Sequence, residues 1–208
     1  MPKLRLSYFD FNGGRGEVVR LALTIGQIPF DDDRIPLATW RSVRDQFPFR
    51  ALPVLQIDDE VITQSNAINR YVGRLTGLYP EDPIEALRCD EVMDAIEDIL
   101  AQIVQTFGID DEDAKRAARQ KLAEGPISLY LTRLDEKLEE RGGQYFADAR
   151  LTVADLKVYT WIQHLRSGTL DHVPTDLADR VAPHLVDQFE SIKSRPDIAA
   201  YYAGINAT

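Results

Sequence analysis

The stretch FRALPVLQIDDEVITQSNAINRY, from Phe49 to Tyr71, decides how the rest of the chain is read. A proline follows a loop, and two short apolar runs, Val54 to Ile57 and Val61 to Thr63, are parted by Asp58-Asp59-Glu60. A Gln64-Ser65 step then opens a segment of helical character. This pattern predicts a β-hairpin followed by a helix. Such a unit offers a ligand two kinds of backbone group: the peptide beside Pro53, which need not join a ladder, and the N–H groups at the helix start after Ser65. Both suit a short anionic peptide.

Toward the N-terminus, Lys3 to Ser7 alternates basic and apolar residues, with Leu4 and Leu6 on one face. The run stops at Tyr8, Phe9 and a loop holding Gly13, Gly14 and Gly16. Glu17 to Ile25 (EVVRLALTI) has the length of a helix and is apolar on most of its surface, with Gly26 as its stop. Phe30 to Ile35 is read as a second strand and Thr39 to Phe47 as a short polar helix carrying Trp40. The expected order is therefore βαβαββα, parallel in its first half and closed by an antiparallel hairpin.

Beyond Tyr71 no convincing strand follows. Leu78-Tyr79-Pro80-Glu81-Asp82-Pro83 is a two-proline connector. We expect one domain over residues 1–79, a linker at 80–83 and an all-α domain over 84–208. In the latter, Ile84 to Phe107 and Asp113 to Arg141 read as amphipathic helices, the second broken at Gly125-Pro126. Thr152-Val153-Ala154-Asp155 is a capping box opening a helix that ends near Gly168, and Pro183 to Ser194 is one more helix.

Composition excludes several function classes. The 208 residues are 44% apolar and carry a formal charge of −10, which repels nucleic acid and anionic membranes as main partners. No apolar run approaches the roughly 20 residues that span a bilayer, and MPKLRLSYFDF lacks a signal peptide's apolar block. A cytoplasmic protein is expected. The single cysteine, Cys89, allows no internal disulfide and no thiolate metal cluster.

Tyr8 at a strand end, a glycine-rich turn with Arg15, Trp40 with Arg44, Leu52-Pro53, Gln64-Ser65 and an all-helical second half together resemble the cytosolic glutathione transferases. The segments LSYFDF, LPVLQIDD and QSNAINRY are most similar to the sigma class, which includes the haematopoietic prostaglandin D synthases. The resemblance spans the whole chain. It implies a thioredoxin-like N-terminal domain holding glutathione as cosubstrate, a helical domain contributing the electrophile site, a homodimer, and detoxification by conjugation to small hydrophobic electrophiles. Prostaglandin isomerisation, peroxide reduction, and a non-catalytic binding or structural role are the alternatives within the same fold.

The resemblance also implies a task for each matching residue. A thiol with a reference pKa of about 8.5 is mostly protonated at neutral pH, and a hydrogen bond from the Tyr8 hydroxyl to sulfur favours the thiolate. Arg15 would strengthen the field there. A cis Leu52-Pro53 peptide would pair the Leu52 backbone with the cysteinyl residue. Gln64 and Ser65 would meet the γ-glutamyl end, and Trp40 and Arg44, one helical turn apart, the glycine carboxylate. Phe49 resembles the aromatic key that inserts between helices of a neighbouring subunit. Phe9, Phe11, Val104 and Phe107 would line the electrophile pocket.

The chain also departs from the pattern. One glycine more than the sigma class carries lies between Tyr8 and Arg15, and position 51, often Lys or Gln in related enzymes, is Ala51, leaving Arg50 as the nearby polar residue. The acid by which a partner's long helix reaches the γ-glutamyl amine falls at Gln102, with Asp98 one turn earlier.

Plainer roles stand beside these: Tyr8 as a strand aromatic, Arg15 as a solvated helix-start residue, Ser65 as an N-cap, Trp40 packed by an arginine stem, Phe49 packed in its own chain. His164, His172 and His184 lack metal-ligand spacing and are read as surface residues, so no metal is expected. Cys89 does not occupy the first helix's N-terminus, where this kind of fold carries a redox thiol.

Overall fold

The computed structural model describes residues 2–206 and divides the chain into two compact units. One comprises residues 1–79 with 196–208, the other Pro80–Arg195.

The first unit is built on a four-stranded sheet in the order β2-β1-β3-β4, from β1 (Leu4–Phe9), β2 (Asp31–Ile35), β3 (Val54–Ile57) and β4 (Glu60–Thr63). β1 runs parallel to β2 and antiparallel to β3, and β3 pairs with β4 as the expected hairpin. Leu4, Leu6 and Tyr8, at alternate positions of β1, are all buried, as the period of two requires. The hairpin turn is tied to the start of β1 by two bonds of 2.9 Å, from Lys3 N–H to Asp58 Oδ1 and from Asp58 N–H to the Lys3 carbonyl.

Helix α1 (Gly14–Ile25) starts three residues earlier than its apolar run, inside the glycine turn. Gly26 ends it in the right-handed region, at φ −73°, so left-handed freedom is not why it is glycine. A Cβ there would lie 2.5 Å from Thr76 Cγ2 at the end of α3 (Ser65–Thr76), which packs on α1. The polar helix expected over 39–47 is broken into short 3-10 turns around a four-residue helix, α2 (Trp40–Val43). Its residues bury no continuous apolar stripe, so nothing holds a longer helix together.

The second unit holds α4 (Pro83–Gln105), α5 (Glu112–Leu122), α6 (Ser128–Glu140), α7 (Val153–Arg166), α8 (Leu177–Val181) and α9 (Pro183–Lys193). Asp82 caps α4 by accepting from Ile84 N–H and Glu85 N–H at 2.9 and 3.0 Å. The wide turn Ala123–Ile127 separates α5 from α6 at Gly125-Pro126, where proline removes a donor. α7 is buried along nearly its whole length and packs on α4, α8 and α9. The short α8 and the last helix, α10 (Pro196–Asn206), are absent from the reading by sequence. α10 packs on α1 and groups with the sheet, whereas that reading kept residues 84–208 together.

One buried acid organises the second unit. Asp155 is fully buried and accepts four hydrogen bonds: Phe146 N–H at 3.0 Å and Gln188 Nε2 at 2.9 Å on one oxygen, Thr152 N–H and Oγ1, both at 2.7 Å, on the other. Burial pushes its pKa up to about 6, against the pull of those donors, so the group is a carboxylate at neutral pH. It joins the capping box of α7 to a loop and to α9. Asp155→Asn places an amide against donors that need an acceptor. Urea unfolding should show a loss of roughly 2–4 kcal/mol; a loss under about 0.5 kcal/mol would mean the charge is not what joins these segments.

Candidate functional site

The register of the sheet gathers the residues singled out above at one end. The β1–β3 ladder closes with Ser7 opposite Val54, so Tyr8 comes beside Pro53, and Thr63 opposite Val54 puts Gln64 on the other side of the same proline. Phe9 pairs with Ile35, from which the chain enters the loop carrying Trp40, Arg44 and Arg50. Three strand ends and one strand exit thus converge.

Tyr8 is buried, 5% exposed, and its hydroxyl oxygen accepts the Arg15 N–H at 3.0 Å. Burial raises the phenol's pKa above its ordinary value, opposed by the Arg15 N–H, the charges of Arg15 and Arg20, and the Gly16 N–H. At neutral pH the phenol keeps its proton and can give it to an acceptor. Arg15 therefore acts on Tyr8 through its backbone as well as its charge, which the reading by sequence did not foresee. The glycines explain the approach. A Cβ on Gly14 would lie 2.4 Å from the Tyr8 oxygen, and one on Gly16 would lie 2.3 Å from the ring. Gly14 also takes φ +65°.

An aromatic cluster carries the site from Tyr8 to the loop. Tyr8 meets Phe9 and Phe11 edge to face at centroid distances of 5.3 and 5.6 Å, and Phe9 meets Trp40 at 5.2 Å. Trp40 is half-buried, and its carbonyl accepts the N–H of the exposed Arg44 one turn on. Arg50 is exposed and paired with Asp45 at 2.9 Å.

The Leu52-Pro53 peptide is cis, as the resemblance implied, and both residues are buried. Ser65 is the first residue of α3, not its cap. The cap position is Gln64, whose side chain makes no cap hydrogen bond. Gln64 is exposed and held at φ 73°, ψ 107°, a conformation that costs a non-glycine residue about 1–3 kcal/mol. Such strain concentrates where a backbone is held for a ligand, and the helix start adds partial positive charge beside it. The chemistry of this end of the sheet suits an anionic peptide with a thiol: neutral phenol donor, helix start, exposed arginines.

Other residues lie apart from this end. Phe49 is 80% exposed at φ 55°, so packing within its own chain plays no part in holding it. Asp98 and Gln102 belong to the second unit, exposed and half-buried on α4. Val104 and Phe107, also there, are exposed, and Arg119 lies over the Phe107 ring at 5.1 Å. His172 is not a simple surface residue: its Nε2 is 2.5 Å from Glu112 Oε1, in a cluster with Asp171. Lys115, 2.6 Å from Glu112 and 3.2 Å from Asp171, already supplies those oxygens with a cation. The buried Cys89 thiol is pushed up to about 12, so it is inert as a nucleophile at neutral pH.

Two family descriptions match the chain: "Glutathione S-transferase, N-terminal domain" over residues 16–75 and "Glutathione S-transferase, C-terminal domain" over residues 97–204. The chain is 32% identical over 162 residues to glutathione S-transferase 1 of Ascaris suum, covering 76% of this chain and 78% of that one. It is 30% identical over 201 residues to the hematopoietic prostaglandin D synthase of Gallus gallus, covering 97% and 96%. A solved structure of prostaglandin synthase D of Nilaparvata lugens superposes with a TM-score of 0.87 at 27% identity, covering 97% of this chain and 98% of that one.

The glycine requirement is open to measurement. Gly16→Ala drives a methyl into the Tyr8 ring and should lower stability by roughly 1–3 kcal/mol in thermal unfolding. Gly108→Ala, where an added Cβ meets nothing within 4 Å, is the control and should stay within about 0.5 kcal/mol of the parent. Equal effects from the two would mean that close approach to Tyr8 is not what selects glycine at position 16.

Proposed function

The chain belongs to the glutathione S-transferase family, whose members use glutathione as cosubstrate, and from that premise we propose that Tyr8 is the residue that stabilises the glutathione thiolate. One observation carries this reading: the buried Tyr8 oxygen accepts the Arg15 N–H at 3.0 Å while the phenol remains protonated at neutral pH. The oxygen's acceptor role is taken up by the backbone, and its one proton is left to donate to sulfur. The thiol proton goes to solvent. The thiolate sulfur then forms a C–S bond with a small hydrophobic electrophile, either displacing a leaving group with its electron pair or adding to an activated double bond.

The other residues hold the cosubstrate. Gln64, Ser65 and the α3 start take the γ-glutamyl end, the Leu52-Pro53 segment the cysteinyl backbone, and Trp40 and Arg44, with Arg50 nearby, the glycine carboxylate. Arg15 supports Tyr8 through its N–H and its charge. Prostaglandin isomerisation on the same thiolate is the second reading, favoured by the likeness to the chicken prostaglandin D synthase over nearly the whole of both chains. The lone buried cysteine suits a reducing, cytoplasmic setting.

We further infer a homodimer with Phe49 as its key. Phe49 is 80% exposed, and a mostly apolar cleft of about 250 Å³ on α4 and α6, lined by Ala95, Leu129, Tyr130 and Leu134, would receive it from a second copy. Asp98 and Gln102 are the candidates for reaching the neighbouring γ-glutamyl group.

Two experiments test these readings. With glutathione and chlorodinitrobenzene, Tyr8→Phe should slow turnover by about 10- to 100-fold and keep glutathione affinity within about threefold. Losing a donor to the thiolate raises its pKa, so the deficit is greatest near neutrality and shrinks toward alkaline pH. An unchanged pH profile would move the catalytic role elsewhere. In sedimentation, Phe49→Ser should shift the protein toward monomer at micromolar concentration; an unaltered dimer rejects the key.

A further inference from the structure

Helix α1 buries a charged residue where an apolar one would be expected. Val18, Val19, Leu21, Ala22 and Leu23 fill its core-facing surface, yet Arg20 among them is 0% exposed. Burying a guanidinium costs several kcal/mol unless its donors are met. Here they are met with specific partners. Nε donates to Asp32 Oδ1 at 3.0 Å, Nη1 to the Phe11 carbonyl at 2.8 Å and to Glu17 Oε2 at 3.3 Å, and Nη2 to the Phe9 carbonyl at 3.2 Å. The same guanidinium carbon lies 5.6 Å from the centroid of the Tyr8 ring.

The two carbonyls matter because of where they are. Phe9 and Phe11 flank the turn between Tyr8 and the glycines, and both of their rings pack edge to face on Tyr8. Arg34 holds the same turn from the strand side, through Asn12 at 3.2 Å and Asp10 at 3.7 Å, and shares Asp32 with Arg20 at 2.7 Å. One planar fork thus ties α1 to the turn that precedes it and to β2. Because the donor to the Tyr8 oxygen belongs to the first turn of α1, the position of that helix sets the hydrogen bond.

We propose that Arg20 is a positioning residue for Tyr8: by holding the Phe9 and Phe11 carbonyls and Asp32 at once, it keeps the start of α1 at hydrogen-bond distance from the phenol oxygen. The inference rests on the reading of Tyr8 as the thiolate's donor. Charged and titratable groups around the network are Glu17 and Arg15 on α1, Asp32 and Arg34 on β2, Tyr8 on β1, and Tyr201 on α10, whose buried hydroxyl faces Glu17. The Arg20 charge also favours the ionised phenol, in keeping with its place beside the ring.

The test uses the full chain with Arg20→Lys, which keeps the charge and loses the fork, and Asp32→Asn, a milder loosening at a part-exposed residue. Each is compared with the parent and with Tyr8→Phe for the pH dependence of kcat/KM, for kcat, for KM of glutathione, and for folding by circular dichroism. Arg20→Lys should lower kcat about 10-fold and raise the kinetic pKa of the bound thiol, with KM within about threefold. Asp32→Asn should move both in the same direction by less.

Parent-like kcat and pH profile in folded Arg20→Lys, with Tyr8→Phe shifted as expected, overturn the positioning role alone. If Arg20→Lys does not fold, an unshifted profile in Asp32→Asn has the same force. A Tyr8→Phe profile identical to the parent overturns the Tyr8 reading and this inference with it. Lower stability at unchanged kcat and profile assigns Arg20 to the fold only and rejects the proposal.

Discussion

The hydrogen bond between the Arg15 N–H and the Tyr8 oxygen constrains more of this protein than its single 3.0 Å contact suggests. For a backbone amide to reach a phenol oxygen, the helix start must pass against the ring with no side chain between. Gly14 and Gly16 supply that clearance, and the extra glycine of the turn belongs to the same approach. The helix must then be held against a turn that has little regular structure of its own. Arg20 and Arg34 hold it from two sides, and the sheet register brings Pro53 and Gln64 to the same strand end.

Each unit relies on a buried charge with a full set of partners. In the first, a guanidinium collects carbonyl and carboxylate oxygens from α1, β2 and the glycine turn. In the second, the Asp155 carboxylate collects donors from a loop, the capping box of α7 and a side chain of α9. A desolvated charge tolerates few arrangements, because any partner that moves away leaves the full desolvation penalty behind. Such groups specify geometry more strongly than apolar packing does. They sit where segments distant in sequence must meet.

Much of this was legible along the chain. The hairpin over 54–63, the break at Gly125-Pro126 and the capping box at Thr152–Asp155 all appear where local chemistry puts them. Proline, glycine and a Thr-x-x-Asp pattern act on their own neighbours, so no distant partner is needed to read them. Other elements escaped for the converse reason. The segment PDIAAYYAGIN shows no clear polar face, and it becomes α10 while packing on α1. The polar run over 39–47 has a helix's composition but no apolar stripe to dock, and it breaks into short turns.

By itself, the sequence determined the order of elements, the two-part organisation and the residue types converging on an anionic thiol peptide, because periodicity, caps and turn residues are local signals. Tertiary structure alone decided how those residues act. Arg15 bonds Tyr8 through its backbone, Gln64 and not Ser65 occupies the cap position of α3, and Arg20 lies beneath the tyrosine instead of facing water. Each of these depends on how closely two segments distant in sequence approach. That distance is set by packing across the sheet and by the oxygens available to a buried charge, neither of which a linear pattern contains.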